Sequence, residues 1–283
     1  MQLAQELRQA NRSAYLATLF VPEAVREAIA ALALYGVELD RIVARAREPL
    51  AAEVRLQWWR DAIRNEGFGE DAPIPIVEAL REGMDRYGWP ADTLCAMSEA
   101  RIHDLYSDPF PDTSAFDGYA GEVFAAPMQL AAMAVGVARF GPEDGPVAAS
   151  AAAQAAGYGG VALAAADAAE GEIQRLRLGR THIPETLWKG EGTMSLRAAL
   201  TDGAVPETAD EAVRAMAAHG DAADKEFRAA MDLITAPLRV ALLPAFGARP
   251  VLRAVAANPL APRLPGQLIT QWRMWWDARR LAR

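Results

Sequence analysis

Apolar positions recur with a helical period along almost the whole chain. From Pro22 they fall at Val25, Ala28, Ile29, Leu32, Tyr35, Gly36, Leu39, Ile42 and Val43, the stripe of one helix face. Pro22 suits a first turn, where a missing N–H costs nothing, and Pro49 marks the break that follows. The next helix is predicted over about 50–66, with Val54, Trp58, Ala62 and Ile63 on one face and Gly67 and Gly69 at its end. Helical patterns continue over 75–87, closed by Gly88, and from Pro90 through Leu94, Met97 and Ile102 to Tyr106. Another covers 114–139, with Pro127 expected to kink or split it. Gly141 and Pro142 break the chain, and a long helix is predicted from Ala148. Beyond the Gly-rich stretch WKGEGTMS, helices fit 207–235, 237–256 and 264–282, each introduced by proline. No segment alternates as a strand would, and no Ser/Gly linker divides the chain. The pattern predicts one all-α domain over residues 1–283.

The stretch from Ala148 to Pro184 stands apart. It begins as an Ala/Gly helix without charge, meets Asp167, Glu170 and Glu172, then Arg175, Arg177 and Arg180, and leaves through Thr-His-Ile-Pro. Small residues let neighbouring helices approach closely, so this helix is expected near the centre of a bundle. GYGG at 157–160 lies inside the same pattern and reads as close packing rather than a phosphate loop. The uncharged run 145–166 is long enough to span a bilayer. Its Ala and Gly supply little insertion energy, so a buried helix is the better reading.

Composition narrows the function classes. The chain is 52% hydrophobic and 23% charged, with a net charge of −8, which gives no footprint for nucleic acid. Cys95 is alone, so no intrachain disulfide or Cys-based zinc site is available. The start, MQLAQELRQANRSAY, has no apolar signal core; a cytoplasmic protein is expected, with at most peripheral contact at the inner membrane. GxGxxG, P-loop, HExxH and GxSxG patterns are absent. His103, His182 and His219 are scattered and read as surface or capping residues.

RSAYLATLFVPEAVREAIAALALYGVELDRI resembles the start of the squalene/phytoene synthase family, where a tyrosine precedes an aspartate-rich motif. EVRLQWWRDAI, FDGYAGEVFAAPMQLAAMAVG, GVALAAADAAEGEIQRLRLGRTHIP and APLRVALLPA resemble later segments in order, the fourth being the second aspartate-rich helix and its exit. The resemblance implies an all-α, isoprenoid-synthase-type helical bundle around a central cavity. It also implies head-to-head condensation of two prenyl diphosphates, with magnesium bridging helix carboxylates to phosphate.

Both motifs are broken in this sequence. Matched from Tyr35, Ile42, Val43 and Ala46 stand where acids belong, leaving Glu38 and Asp40 nearby. Counted back from Gly179 and Arg180, Asp167 stands at an Asn, Glu170 at an Arg, Gly171 at the first Asp and Arg175 at the second. A register shifted by three, anchored on Gly157, puts Ala168 at the first Asp and does not restore the set. The chain is also similar to the family's non-catalytic branch, which contains the mitochondrial complex I assembly factor. The matches are GVEL at 36–39, RLQWW at 55–59 and the final QWRMWWDARR. That similarity implies a binding protein without a metal cofactor, assisting assembly of respiratory NADH:quinone oxidoreductase, with respiratory subunits or assembly proteins as partners. A prenyl or lipid ligand would use the inherited cavity. The alternative is an active magnesium-dependent prenyl transferase. The residues expected to line the cavity are Tyr35, Glu38, Asp40, Arg55, Trp59, Tyr119 and Arg180. If any cation binds, Asp167 and Glu170 at i, i+3 are the candidates, although a salt bridge to Arg175 is the simpler reading. Trp272, Trp275 and Trp276 read as packing the last helix onto the bundle, with a membrane interface as the other option.

Overall fold

In a computed structural model, residues 2–64, 74–189 and 192–281 are described. The expected helix end at Gly67 and Gly69 lies outside them. Among the described residues every regular element is a helix.

The N-terminal layer consists of α1 (Gln2–Ala10), α2 (Arg12–Thr18), α3 (Glu23–Ala44), α4 (Pro49–Arg64), α5 (Pro75–Tyr87) and α6 (Ala91–Ala100). α3 begins after Pro22, with Glu23 at its positive end and Arg41 in its last turn, as the helix dipole favours. Its predicted stripe is buried at Val25, Leu32, Tyr35 and Leu39, while Ile42, Val43 and Ala46 are partly buried against the same core. The pattern had not marked α1 and α2; Leu3 and Leu7 of α1 seal the outer side of α3.

The helix predicted up to Tyr106 stops at Ala100 and gives way to a 3-10 turn, His103–Leu105. α7 (Thr113–Ala120) then runs through a π-helical turn, Gly121–Ala125, into α8 (Ala126–Ser150). Pro127 therefore sits in the first turn of α8. Its missing N–H cannot close an α-helical bond to residue 123, and the wider turn absorbs that gap. At Gly141 the backbone leaves the helix (φ 86°, ψ 174°), giving the expected break before Pro142.

α9 (Ala153–Arg177) occupies the middle of the bundle. It starts five residues later than predicted, because Ala148 to Ser150 finish α8. Ala155, Ala156, Ala162, Ala165 and Ala168 are all essentially inaccessible. Two glycines of GYGG are needed for this closeness. A Cβ on Gly159 would lie 2.8 Å from Ala245, and one on Gly160 would lie 2.7 Å from the Ala125 backbone nitrogen. Packing explains that motif, as the sequence suggested.

α10 (Gly192–Asp202) and α11 (Ala209–Met231) follow, the latter laid along α9 with Gly220 against Ala165. The helix predicted over 237–256 is interrupted. α12 (Ala236–Arg239) passes into a 3-10 run, Val240–Gly247, and then α13 (Ala248–Ala257). Pro244 has no N–H for an α-helical bond, which favours the tighter winding. α14 (Gln267–Leu281) closes the order. Here the sequence reading needs correction: Trp272, Trp275 and Trp276 are exposed rather than packed inward. α14 instead buries Ala278 and Leu281.

Candidate functional site

The polar residues of the bundle interior converge where the 3-10 turn after α6 meets α7 and the exit of α9. Gly179 takes a left-handed conformation (φ 72°) just past α9, and Arg180 N–H bonds back to Arg175 C=O at 2.9 Å. This is the glycine-dependent helix stop that favours Gly over any residue with a Cβ. It turns Arg180, Thr181 and His182 back toward the turn at 103–105.

At the centre is Asp104, whose side chain is only 4% exposed. Its Oδ2 accepts from Arg101 Nη1 at 3.0 Å and from the Tyr119 hydroxyl at 3.0 Å. Its Oδ1 lies 3.1 Å from His182 Nε2. Arg180 Nη1 donates to the Asp104 carbonyl at 3.0 Å. Arg101 also donates to the Tyr119 oxygen at 2.8 Å and bridges outward to Asp40 at the end of α3. His103 stacks on Phe110 at 3.8 Å, closing one side.

The charge states follow from this geometry. Burial pushes the Asp104 carboxyl upward, but His182 and Arg101 override it and hold it down at about 2. Burial opposes the charge on Arg101, yet Tyr119, Asp40 and Asp104 keep it more firmly protonated than a free guanidinium. Burial raises the Tyr119 hydroxyl, and Asp104 adds to it. Burial lowers His103. Asp40 is raised by burial against the pull of Arg101, with Asp104 and Asp167 adding. Its carboxylate is 58% exposed, so solvent screens much of that shift.

Along α9, Asp167 is held by Arg175, which donates from Nη1 to the Asp167 and Ala168 carbonyls at 2.9 and 3.1 Å and from Nη2 to the Asp167 carboxylate. This is the salt bridge the sequence favoured. The folded-back guanidinium lies over Gly171, where a Cβ would stand 2.6 Å from Nη1. Gly171 and Arg175 are therefore coupled. Gly171→Asp is expected to displace Arg175 and cost about 1 kcal/mol, since these hydrogen bonds are half-exposed. In chemical denaturation, Gly171→Asp combined with Arg175→Ala is expected to cost less than the sum of the single changes.

The site residues expected from sequence divide into two groups. Asp40, Tyr119 and Arg180 belong to this one network. Tyr35 and Trp59 do not: both are buried in the α3–α4 core with ring centroids 5.2 Å apart, and Tyr35 donates to the Leu94 carbonyl. Glu38 pairs with Arg41 on its own helix. Arg55 is exposed on α4, and Glu170 is exposed on α9. Arg101 and Asp104 were missed. His182, read as a surface or capping residue, is half-buried beside Asp104. Two sizeable cavities, of about 420 and 490 Å³, lie elsewhere, and neither is lined by Asp40, Tyr119 or Arg180.

A sequence profile described as squalene/phytoene synthase matches residues 7–278. The chain belongs to the squalene/phytoene synthase family. Among solved structures, this family member is similar to squalene synthase HpnC from Alicyclobacillus acidocaldarius. That likeness has a TM-score of 0.66 at 18% identity, over 93% of this chain and 95% of that one. It is also similar to a dehydrosqualene synthase in complex with ligand, with a TM-score of 0.71 at 15% identity, over 99% and 94% of the two chains. At such identities the likeness shows the fold, an isoprenoid-synthase-type helical bundle. No curated protein matches the sequence.

Proposed function

We propose that this squalene/phytoene synthase family member is catalytically degenerate and acts by binding, in the assembly of respiratory NADH:quinone oxidoreductase. One observation carries the degenerate reading. Two of the carboxylates left near the motifs, Asp40 and Asp167, are taken up by arginines of the same chain, Arg101 and Arg175. A divalent cation needs several hard oxygen ligands with free lone pairs. Unit charges about 4 Å apart interact by roughly 4 kcal/mol at an effective dielectric near 20, so a fixed guanidinium beside each acid works against a second cation. Ile42, Val43 and Ala46, at former acidic positions, are packed against apolar core. Among the described residues no group of three or more His, Cys, Asp or Glu side chains is disposed to hold a metal. These residues do not fit a magnesium cluster.

The assembly role rests on the sequence similarity to the complex I assembly branch at GVEL, RLQWW and the Trp-Arg end. Deleting the gene in its host is expected to lower the level of assembled NADH:quinone oxidoreductase, and complementation is expected to restore it. A deletion strain with normal levels sinks that role. The enzymatic reading keeps one supporting observation: after burial and Asp104, Asp167 adds to holding the Asp40 carboxyl above the usual carboxylate range, against the pull of Arg101. It predicts magnesium-dependent diphosphate release from a C15 or C20 prenyl diphosphate by the purified protein. The degenerate reading expects no turnover above a blank.

A further inference from the structure

α14 turns an apolar face to solvent. Leu268 is 81% exposed, Trp272 63% and Trp276 48%, with Ile269 and Trp275 beside them. The three indoles form one cluster: Trp276 meets Trp272 at 5.8 Å and Trp275 at 5.5 Å, both edge to face, and Arg279 lies 4.7 Å over Trp275.

Adjoining this face is the cleft of about 420 Å³ between α11, α13 and α14. Five arginines line it (Arg228, Arg249, Arg253, Arg273 and Arg280), and Asp277 is the single carboxylate among its lining residues. Buried Asp224 takes up two of the five, pairing with Arg228 at 2.8 Å and Arg249 at 3.4 Å. Arg253, Arg273 and Arg280 remain exposed, facing the cleft. The imbalance extends along the chain. Residues 234–283 hold eight arginines and one carboxylate in a protein of net charge −8. A positive cleft flanked by an exposed indole cluster on an otherwise acidic protein is complementary to an anionic, interfacial surface. Tryptophan rings favour the headgroup level of a bilayer. Arginines near anionic lipid each contribute about 1 kcal/mol, and an amphipathic helix with both features lies in the interface plane.

We propose that the exposed face of α14 and the arginine cleft beside it dock this protein onto an anionic phospholipid surface, indoles in the interface and guanidinium groups against phosphate. This stands independently of the assembly role and of any remaining catalysis.

The test is co-sedimentation of the full chain with vesicles of phosphatidylcholine alone and of phosphatidylcholine mixed with phosphatidylglycerol. The protein is expected to pellet with the mixed vesicles only, and less so as salt rises. Brominated lipid in the mixed vesicles is expected to quench tryptophan emission, a readout that needs no variant. Leu268→Ser with Trp272→Ser, both at exposed positions, is expected to weaken binding at least tenfold at unchanged Tm. Arg273→Gln and Arg280→Gln are each expected to weaken it about fivefold. The proposal is overturned by failure to pellet, by equal binding to both vesicle types, by absence of quenching, or by variants that bind as the parent does. Competition by inorganic phosphate that abolishes binding without salt-matched controls doing so would show a free-anion site and overturn it too.

Discussion

Arg101→Met is expected to destabilise the fold by about 3–5 kcal/mol, the usual consequence of removing one partner from a buried ion pair. Arg101 is 14% exposed and Asp104 4%. The methionine would fill much of the volume while leaving Asp104 without its guanidinium partner and Tyr119 without its donor. Desolvation of Asp104 would then act with less opposition. Denaturant unfolding gives the measurement, with two controls. Asp40→Asn removes the outer, solvent-screened partner and is expected to cost less than about 1 kcal/mol. Asp104→Asn in the Arg101→Met background is expected to recover part of the loss, because a neutral amide no longer needs a counter-charge. A single-variant loss below about 1 kcal/mol would refute the view that Arg101 is the ion around which this interior is built.

Glu172→Gln is expected to do the opposite at neutral to alkaline pH, stabilising the protein by about 2 kcal/mol. Glu172 is inaccessible on α9; its Oε1 accepts from the Thr181 hydroxyl, and its Oε2 has no hydrogen-bond partner. Burial raises its carboxyl from 4.5 to about 7, against the pull of Thr181, Arg175 and the His182 backbone. A group raised in the folded state binds more protons there than in the unfolded chain. Its contribution is therefore full below about 4.5, falls as pH rises toward 7, and stays at its lower level above. The shift corresponds to about 3 kcal/mol, and an unsatisfied amide in its place returns about 1. The glutamine keeps the Thr181 bond and removes the pH dependence. Asp104 works in the other direction: held down at about 2 from 3.8, its contribution is present above pH 3.8 and lost as pH falls through 2. Together these two groups favour maximal stability near pH 4–5. A Glu172→Gln variant whose stability curve parallels that of the parent between pH 5 and 8 would refute the assignment.

Sequence reading and structure part company at identifiable residues. The stripe on α3 and the small-residue run of α9 are local patterns with one geometric solution, so those helices were legible. Pro127 announced a break, but its outcome, a π-helical turn, depended on what packs against it; Pro244 was passed over inside a helix predicted as continuous, and the structure winds it into a 3-10 run. Asp40, Tyr119 and Arg180 could be carried over from a resemblance. Tyr35 and Trp59 could be carried over equally well, yet both serve the core. Arg101 and Asp104 had a weak signal: two charges at i, i+3 at the end of the stripe through Leu94, Met97 and Ile102. Such a pair reads as a solvated helix end until Tyr119 and His182 are brought to it from elsewhere in the chain.

The sequence by itself determined the all-α class and the central position of the Ala/Gly helix. Each of these is a property of residue identity and spacing. Only the tertiary structure decided that the remaining acids are held by Arg101 and Arg175, and that the tryptophans of α14 face outward. Ion pairing and burial are set by which surfaces meet across the bundle, and contacts such as Arg101 with Asp40 join residues 61 positions apart.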